Sequence, residues 1–420
     1  MGNYCLYPGI AGNIWKVGWP GCGPKGGQVM ATISDHVRTN MALVQKLSFI
    51  VGVLGLGVSA VMLGFERREF FSSYLIAYIY FFAIGAGSLA LLMIQHVAGG
   101  AWGFSIRRLL EAGSRTLLLL AVLFIPLLFG LPELYQWARP DALKDRIIEL
   151  KSGYLNVPFF LIRQAIFFSI WVGLAYSLSY FSKKEDETGD ESIGWWFKAL
   201  SGPGLVVFAV TVGLTSVDWA MSVDVHWYSS MYPVLFAFGC ILSALIFHIV
   251  AMILLYQGGD LEKYLTKNYL RDFGSFLLGF IIFWTYLTFS QFLLIWCANL
   301  KEEVPYYVNR ISGGWQIVTI ILAIGHFALP FLFLLRRETK RVRSSLLIAA
   351  CFMLLMRFAD YLYLLGPSFS PKHFHLPVSQ VTSLLGIGGL WLSFFIYQWN
   401  LYPPIAARDP RALKEPVHGV

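Results

Sequence analysis

Ten apolar runs of about twenty residues each decide what this chain can become. They lie at 45–64, 72–96, 116–137, 159–182, 197–217, 231–256, 274–296, 314–335, 345–365 and 378–400. About 20 mostly apolar residues of helix cross the hydrocarbon core of a bilayer. A helix also satisfies its own backbone, so each run reads as a membrane span. The runs are continuous and do not alternate, which excludes a β-barrel. Composition agrees: 57% of residues are hydrophobic and only 13% charged, where a soluble domain carries roughly 25% charged residues. The expected fold class is an all-α polytopic membrane protein of about ten helices.

The net charge of +8 does not point to nucleic acid, because the basic residues sit in short clusters between apolar runs. Counting Lys and Arg on alternate sides gives 21 on the side of the N-terminus against 9 on the other; Arg163 and Arg357, inside runs, complete the 32. The 21 include Arg107, Arg108 and Arg115, read as loop residues. The richer side should be cytoplasmic, which places both termini in the cytoplasm. The longest outer loop, 138–158, has room for a short interfacial helix, and 183–192 (KKEDETGDES) reads as a solvated connector.

Residues 1–29 are Gly-rich and lack the charged start and apolar core of a signal peptide. Met30 opens a stretch that reads like a natural start, so 1–29 is treated as a candidate extension. The five cysteines (Cys5, Cys22, Cys240, Cys297, Cys351) show no CxxC or CxxCH. They offer no ligand set for an iron–sulfur cluster or an attached haem, and no metal site.

Ionisable groups inside a span cost at least about 2.5–3.5 kcal/mol each on insertion scales, so each needs a reason to be there. The candidates are His96, Glu133, Arg163, Asp218, His248, His326, Arg357 and Asp360, accompanied by Gln95, Gln164 and Gln291. Arg357 and Asp360 are three apart and share a helix face. They form either a self-neutralising pair or a proton-accepting carboxylate tuned by its neighbour. Arg163 can snorkel or pair with Asp218 or Glu133. Histidine suits a proton relay and equally suits a plain interhelical hydrogen bond. His326 is the weakest candidate of the set.

Spans two to five and six to nine superpose as two four-helix units of one orientation, 72–217 and 231–365, within a membrane domain at 45–400. A cytoplasmic segment (1–44) precedes it and a tail (401–420) follows. Span two then matches span six, each with a His toward the cytoplasm (His96, His248). Span five matches span nine, each with an Asp toward the outside (Asp218, Asp360). A parallel internal repeat produces such a pattern, and it marks His96, Asp218, His248, Arg357 and Asp360 as proton-path candidates. Haem b competes for the histidines, but needs two of them at matching depth on facing helices.

Two stretches resemble a known family. SVDWAMSVDVHWYSSMYPVLFAFGCILSALIF (216–247) and TYLTFSQFLLIWCANLKEEVPYYVNR (285–310) are similar to the polysulfide-reductase/NrfD-like membrane subunits. The likeness is to the shorter of the two such subunits in bacterial Alternative Complex III, a quinol:cytochrome c (electron carrier) oxidoreductase, and covers about 45–400. The resemblance implies a membrane subunit that scaffolds redox partners and contributes a proton path. Its implied partners are the longer paralogue, an iron–sulfur subunit, c-type cytochrome subunits and a terminal oxidase. Iron–sulfur clusters and c-type haems would belong to those partners, and this chain alone would bind none. Asp218, Asp224, His226 and Trp227 match the first motif; Ser290 and Gln291 match the second. The motif residues equally fit a role in locking a loop.

Two other functions stay open. A quinone-binding subunit could oxidise quinol directly with an iron–sulfur partner. Its pocket would need a donor, an acceptor and aromatic walls, for which Arg163, Asp224, His226, Trp227 and Gln291 are candidates. A stand-alone secondary transporter would need broken helices at the midplane, which Gly202-Pro203-Gly204 does not supply. No catalytic residue is assigned.

Overall fold

The computed structural model describes residues 34–258 and 261–406. The candidate extension 1–29, with Cys5 and Cys22, and the tail beyond 406 lie outside the described residues. Ten helices among the described residues are long and apolar enough to cross a membrane. They are α1 (Asp35–Met62), α2 (Arg67–Ala98), α3 (Trp102–Leu128), α4 (Val157–Thr188), α5 (Ile193–Trp219), α6 (Tyr232–Leu255), α7 (Lys267–Ala298), α8 (Trp315–Leu335), α9 (Arg343–Phe369) and α10 (Val378–Asn400). The chain is an all-α, multi-pass membrane protein. An even number of crossings puts the two described ends on one side, called here the terminal end; the opposite side is the far end.

Local chemistry sets several boundaries. The Asn156 side chain accepts from Phe159 N at 2.9 Å, with Pro158 in the first turn, so α4 starts there. Thr266 caps α7 in the same way, satisfying a donor that the helix leaves unpaired. Asn299, at φ 48°, ends α7 in the left-handed conformation that stops helices. Pro203 sits inside α5 without breaking it. The 138–158 loop does carry a short helix, Arg146–Lys151, capped by Asp145.

One span differs from its sequence expectation. The third was expected at 116–137 and is found at Trp102–Leu128. The apolar window had slid toward LLLLAVLFIPLLFGL because Arg107, Arg108, Glu111 and Arg115 depress the hydropathy of the first half. These side chains are buried, at 0–3% exposure. With Glu185 and Asp186 of α4 their charges balance inside the protein, so a hydropathy window misreads them as loop. Without the three arginines, the charge tally is eighteen against nine.

α2 and α6 lie side by side at the centre. α2 packs on α3 and α5, and α6 packs on α7 and α9. α5 also reaches α6, and α9 reaches α2. α4 closes against α3 and α5, as α8 closes against α7 and α9. The same neighbour pattern thus recurs on both sides of the centre. The α2–α6 crossing is tight: a Cβ on Gly87 would lie 2.0 Å from the Cys240 carbonyl oxygen. α10 packs on α2 and α3, and α1 rests chiefly on α10. Their backbones meet where Gly52 faces Gly389, small residues allowing close approach in lipid. Within the apolar part of α1 only 11% of residues are buried, against 94% in α2.

Candidate functional site

Among the described residues, buried ion pairs collect in three places, and each follows from where the helices bring polar residues face to face. At the terminal end of the first four-helix group, Arg107, Arg108 and Glu111 on α3 meet Ser182, Glu185 and Asp186 on α4. Glu111 accepts from Arg107 Nε at 3.1 Å and from Arg108 Nη1 at 2.7 Å. Arg107 Nη2 lies 2.7 Å from Glu185, and Arg108 Nη2 bonds Asp186. The Ser182 hydroxyl donates to Glu111 at 2.5 Å while accepting from both arginines. Nearby, Arg115 donates to Ser179, to the Gln398 side chain and to the Gln398 carbonyl at 2.7–2.9 Å, beneath the Tyr402 ring. Three cations face three carboxylates, so the network is electrically closed. The sequence reading missed it. The 183–192 stretch was expected to be a solvated connector, yet its third residue, Glu185, is 4% exposed. The available signal was Arg107, Glu111 and Arg115 at four-residue spacing, which stacks them on one helix face.

At the far end of the same group, Arg163 on α4 grips Asp218 on α5 with two hydrogen bonds, 2.8 and 3.1 Å. Gln164 donates a third at 2.8 Å and accepts from Trp219 Nε1 at 3.0 Å. Of the partners open to Arg163, the structure gives it Asp218. The guanidinium also lies over the Tyr154 ring. Asp218 is fully buried and receives three side-chain donors. Bidentate Arg–carboxylate pairing is strong and fixes geometry.

The second group holds its charge deeper. On α9, Arg357 Nη1 donates to Asp360 at 2.6 Å, and Arg357 Nε donates to Ser243 on α6 at 3.0 Å. His326 Nε2 lies 3.5 Å from Arg357 Nη1, and its ring packs on Trp284 of α7 at 3.8 Å. His326 sits in a π-helical stretch, Leu322–Ala328, the irregular segment of α8. Such bulges free backbone groups and recur at functional sites. His326, ranked last from sequence, is therefore at the centre of this cluster. The Nδ1 of His326, Thr288 Oγ1 and Gln291 Oε1 are buried with no hydrogen-bond partner.

The histidines His96 and His248 do not share a level. His248 Nε2 is 2.8 Å from Ser88, eight residues before His96 on α2, or about 12 Å along the helix axis. Ser88 already donates to Ile84 O at 2.6 Å, so its oxygen accepts from His248 Nε2–H. His96 instead stacks on Phe197 at 4.4 Å. His96 and His248 therefore do not face each other across a site for one haem iron. The acids are offset likewise: Asp218 is one residue from the end of α5, and Asp360 is nine residues from the end of α9. The sequence had placed both acids toward the same end. The first-half members lie near the ends of their helices and the second-half members deeper.

The loop motif splits. Half-exposed His226 reaches Asp145 at 3.1 Å. Lys151 donates to Val225 O at 2.5 Å; burial lowers its ammonium pKa from the usual lysine value, and the charge of Asp224 opposes the shift. Trp227 turns inward and stacks on Tyr306 at 4.0 Å. Glu133 lines a separate far-end cleft of about 520 Å³ with Glu66, Glu69, Trp315, His375 and Gln380. None of the quinone-site candidates read from sequence lines that cleft. Among the described residues no group of three or more His, Cys, Asp or Glu is placed to hold a metal ion. No protein-family model matches the chain, and no curated protein matches it.

Proposed function

We propose that this chain is a non-redox membrane subunit of a quinol:electron-carrier oxidoreductase, of the polysulfide-reductase/NrfD-like kind. In this reading it anchors iron–sulfur and c-type cytochrome partners at its far face and carries part of a proton path. The terminal end faces the cytoplasm, as the eighteen-to-nine charge excess favours. The observation that carries the proton role is the mid-helix placement of Arg357, Asp360, Ser243 and His326. A staple between helices works as well at a helix end, where charge costs less. Titratable groups far from either face are what a proton crossing the membrane needs.

The Asp360 carboxylate takes and releases the proton. Arg357 holds the counter-charge, so protonation changes the net charge of the cluster without moving a helix. Ser243 fixes the guanidinium, and His326 supplies a second ring nitrogen, Nδ1, left without a protein partner. Moving one charge against 100 mV costs about 2.3 kcal/mol, so the path must not run open from face to face.

The test is gentle purification with partners retained, then proton release per electron in proteoliposomes. The Asp360→Asn complex should transfer electrons from quinol while its proton yield drops by half or more. An unchanged yield would remove the proton role, and a chain that purifies alone and active would remove the subunit role. A second reading, direct quinone binding, is supported by the far-end cleft, whose Trp315, Ser73, Gln380 and His375 offer an aromatic wall, donors and acceptors. Quinone bound there would favour it.

A further inference from the structure

Arg310 is buried apart from the three ion-pair clusters. It is 1% exposed, and like Arg115 it has no carboxylate in contact among the described residues. Its guanidinium donates to two backbone carbonyls, Tyr306 O at 2.8 Å and Leu364 O at 2.7 Å. It lies 3.3 Å from the Tyr306 ring centroid and 5.5 Å from that of Tyr363, and its Nε has no partner. Burial raises the Tyr306 phenol pKa above its usual value, so Tyr306 stays neutral and brings no counter-charge. A buried cation held by carbonyl dipoles and ring faces keeps its full positive field.

Its position gives that field a use. Leu364 follows Asp360 by four residues on α9, about 6 Å farther along the axis toward the far end. Residues 360 and 364 also fall on one helix face. Pro367 inside α9 cannot donate to the turn before it, which loosens the helix where Arg310 docks. Trp227 and Tyr232 complete the lid, stacked on Tyr306 and edge-on to Trp227. The far-end cleft reaches Leu362 and Gly366, but those residues lie on the opposite face of α9.

We propose that Arg310 is an electrostatic barrier that slows passive proton passage between Asp360 and the far face outside turnover. The inference rests on the proton role proposed for Asp360. A fixed positive charge over a pore excludes protons and cations. At an effective dielectric near 20, a unit charge on the order of 6–10 Å away shifts proton occupancy by roughly ten- to a hundredfold.

The experiment uses the whole complex in proteoliposomes without quinol, with an imposed potassium-diffusion potential and a trapped pH dye. Arg310→Gln should raise passive proton flux about tenfold or more, and Arg310→Lys should stay as tight as the parent. Adding Asp360→Asn to Arg310→Gln should restore tightness. A tight Arg310→Gln complex, an equally leaky Arg310→Lys, or a leak that survives Asp360→Asn would each overturn the barrier. If Arg310→Gln does not assemble, Arg310→His serves: flux should rise as pH passes the imidazole range near 6.5, and a pH-independent flux overturns the proposal. Failure of the proton role itself reads out separately, as an unchanged proton yield during quinol turnover in the single Asp360→Asn variant.

Discussion

The two halves of the molecule share a pattern of helix neighbours but place their charge differently. The first half fastens charge at its two ends: three arginines against three carboxylates at the terminal end, and Arg163 on Asp218 at the far end. Between them the packing is largely aromatic, with Phe82, Phe124 and Phe168 around Trp219. Among the described residues the second half carries one buried ion pair, deep in a single helix, next to a π-helical turn. Satisfied networks rigidify a protein, whereas sparsely bonded groups keep chemical freedom. The comparison suggests a division of labour, with the first half holding shape and the second handling protons.

Substitutions can break that contrast, and the largest effect should come from Glu111→Leu. It leaves Arg107 and Arg108 buried around a missing centre, and should cost about 5 kcal/mol, the upper range for breaking a buried ion pair. The protein should fail to accumulate in membranes, which immunoblotting would show. Asp218→Asn removes a charge that takes three side-chain donors and should cost about 3–5 kcal/mol, read as a lower melting temperature in detergent. Asp360→Asn also strands a buried arginine, but removes a single hydrogen bond to it, and should cost about 3 kcal/mol, the bottom of that range. An equal or larger loss than at Asp218 would erase the division. At the small end, Lys183→Ala breaks a half-exposed 3.7 Å contact with Glu187 and should change stability by no more than about 0.5 kcal/mol.

The fold was readable because crossing a membrane is a one-dimensional demand: enough apolar residues in a row. The same reasoning failed at the third span, where four charges are balanced only by two carboxylates from α4, which a hydropathy window cannot see. Arg357 with Asp360 was visible as a spacing on one helix. Arg163 with Asp218, 55 residues apart, was one of several pairings the sequence allowed. Ser243 and His326 were unreadable as partners, since nothing local links α6 or α8 to α9. Glu185 looked like part of a solvated run because its arginines lie more than 70 residues upstream.

The seating of α1 on α10 has a consequence for how the chain is made. Gly52 leaves the ribosome 337 residues before Gly389, which it must meet. At about 5–20 residues per second, α1 waits on the order of half a minute before its partner exists. Until then its apolar surface is covered by lipid or by the insertion machinery. Closing that pair is a late event of assembly, and α10 then also delivers Gln398 to Arg115. A chain truncated before α10 would therefore lose the first helix as well as the last.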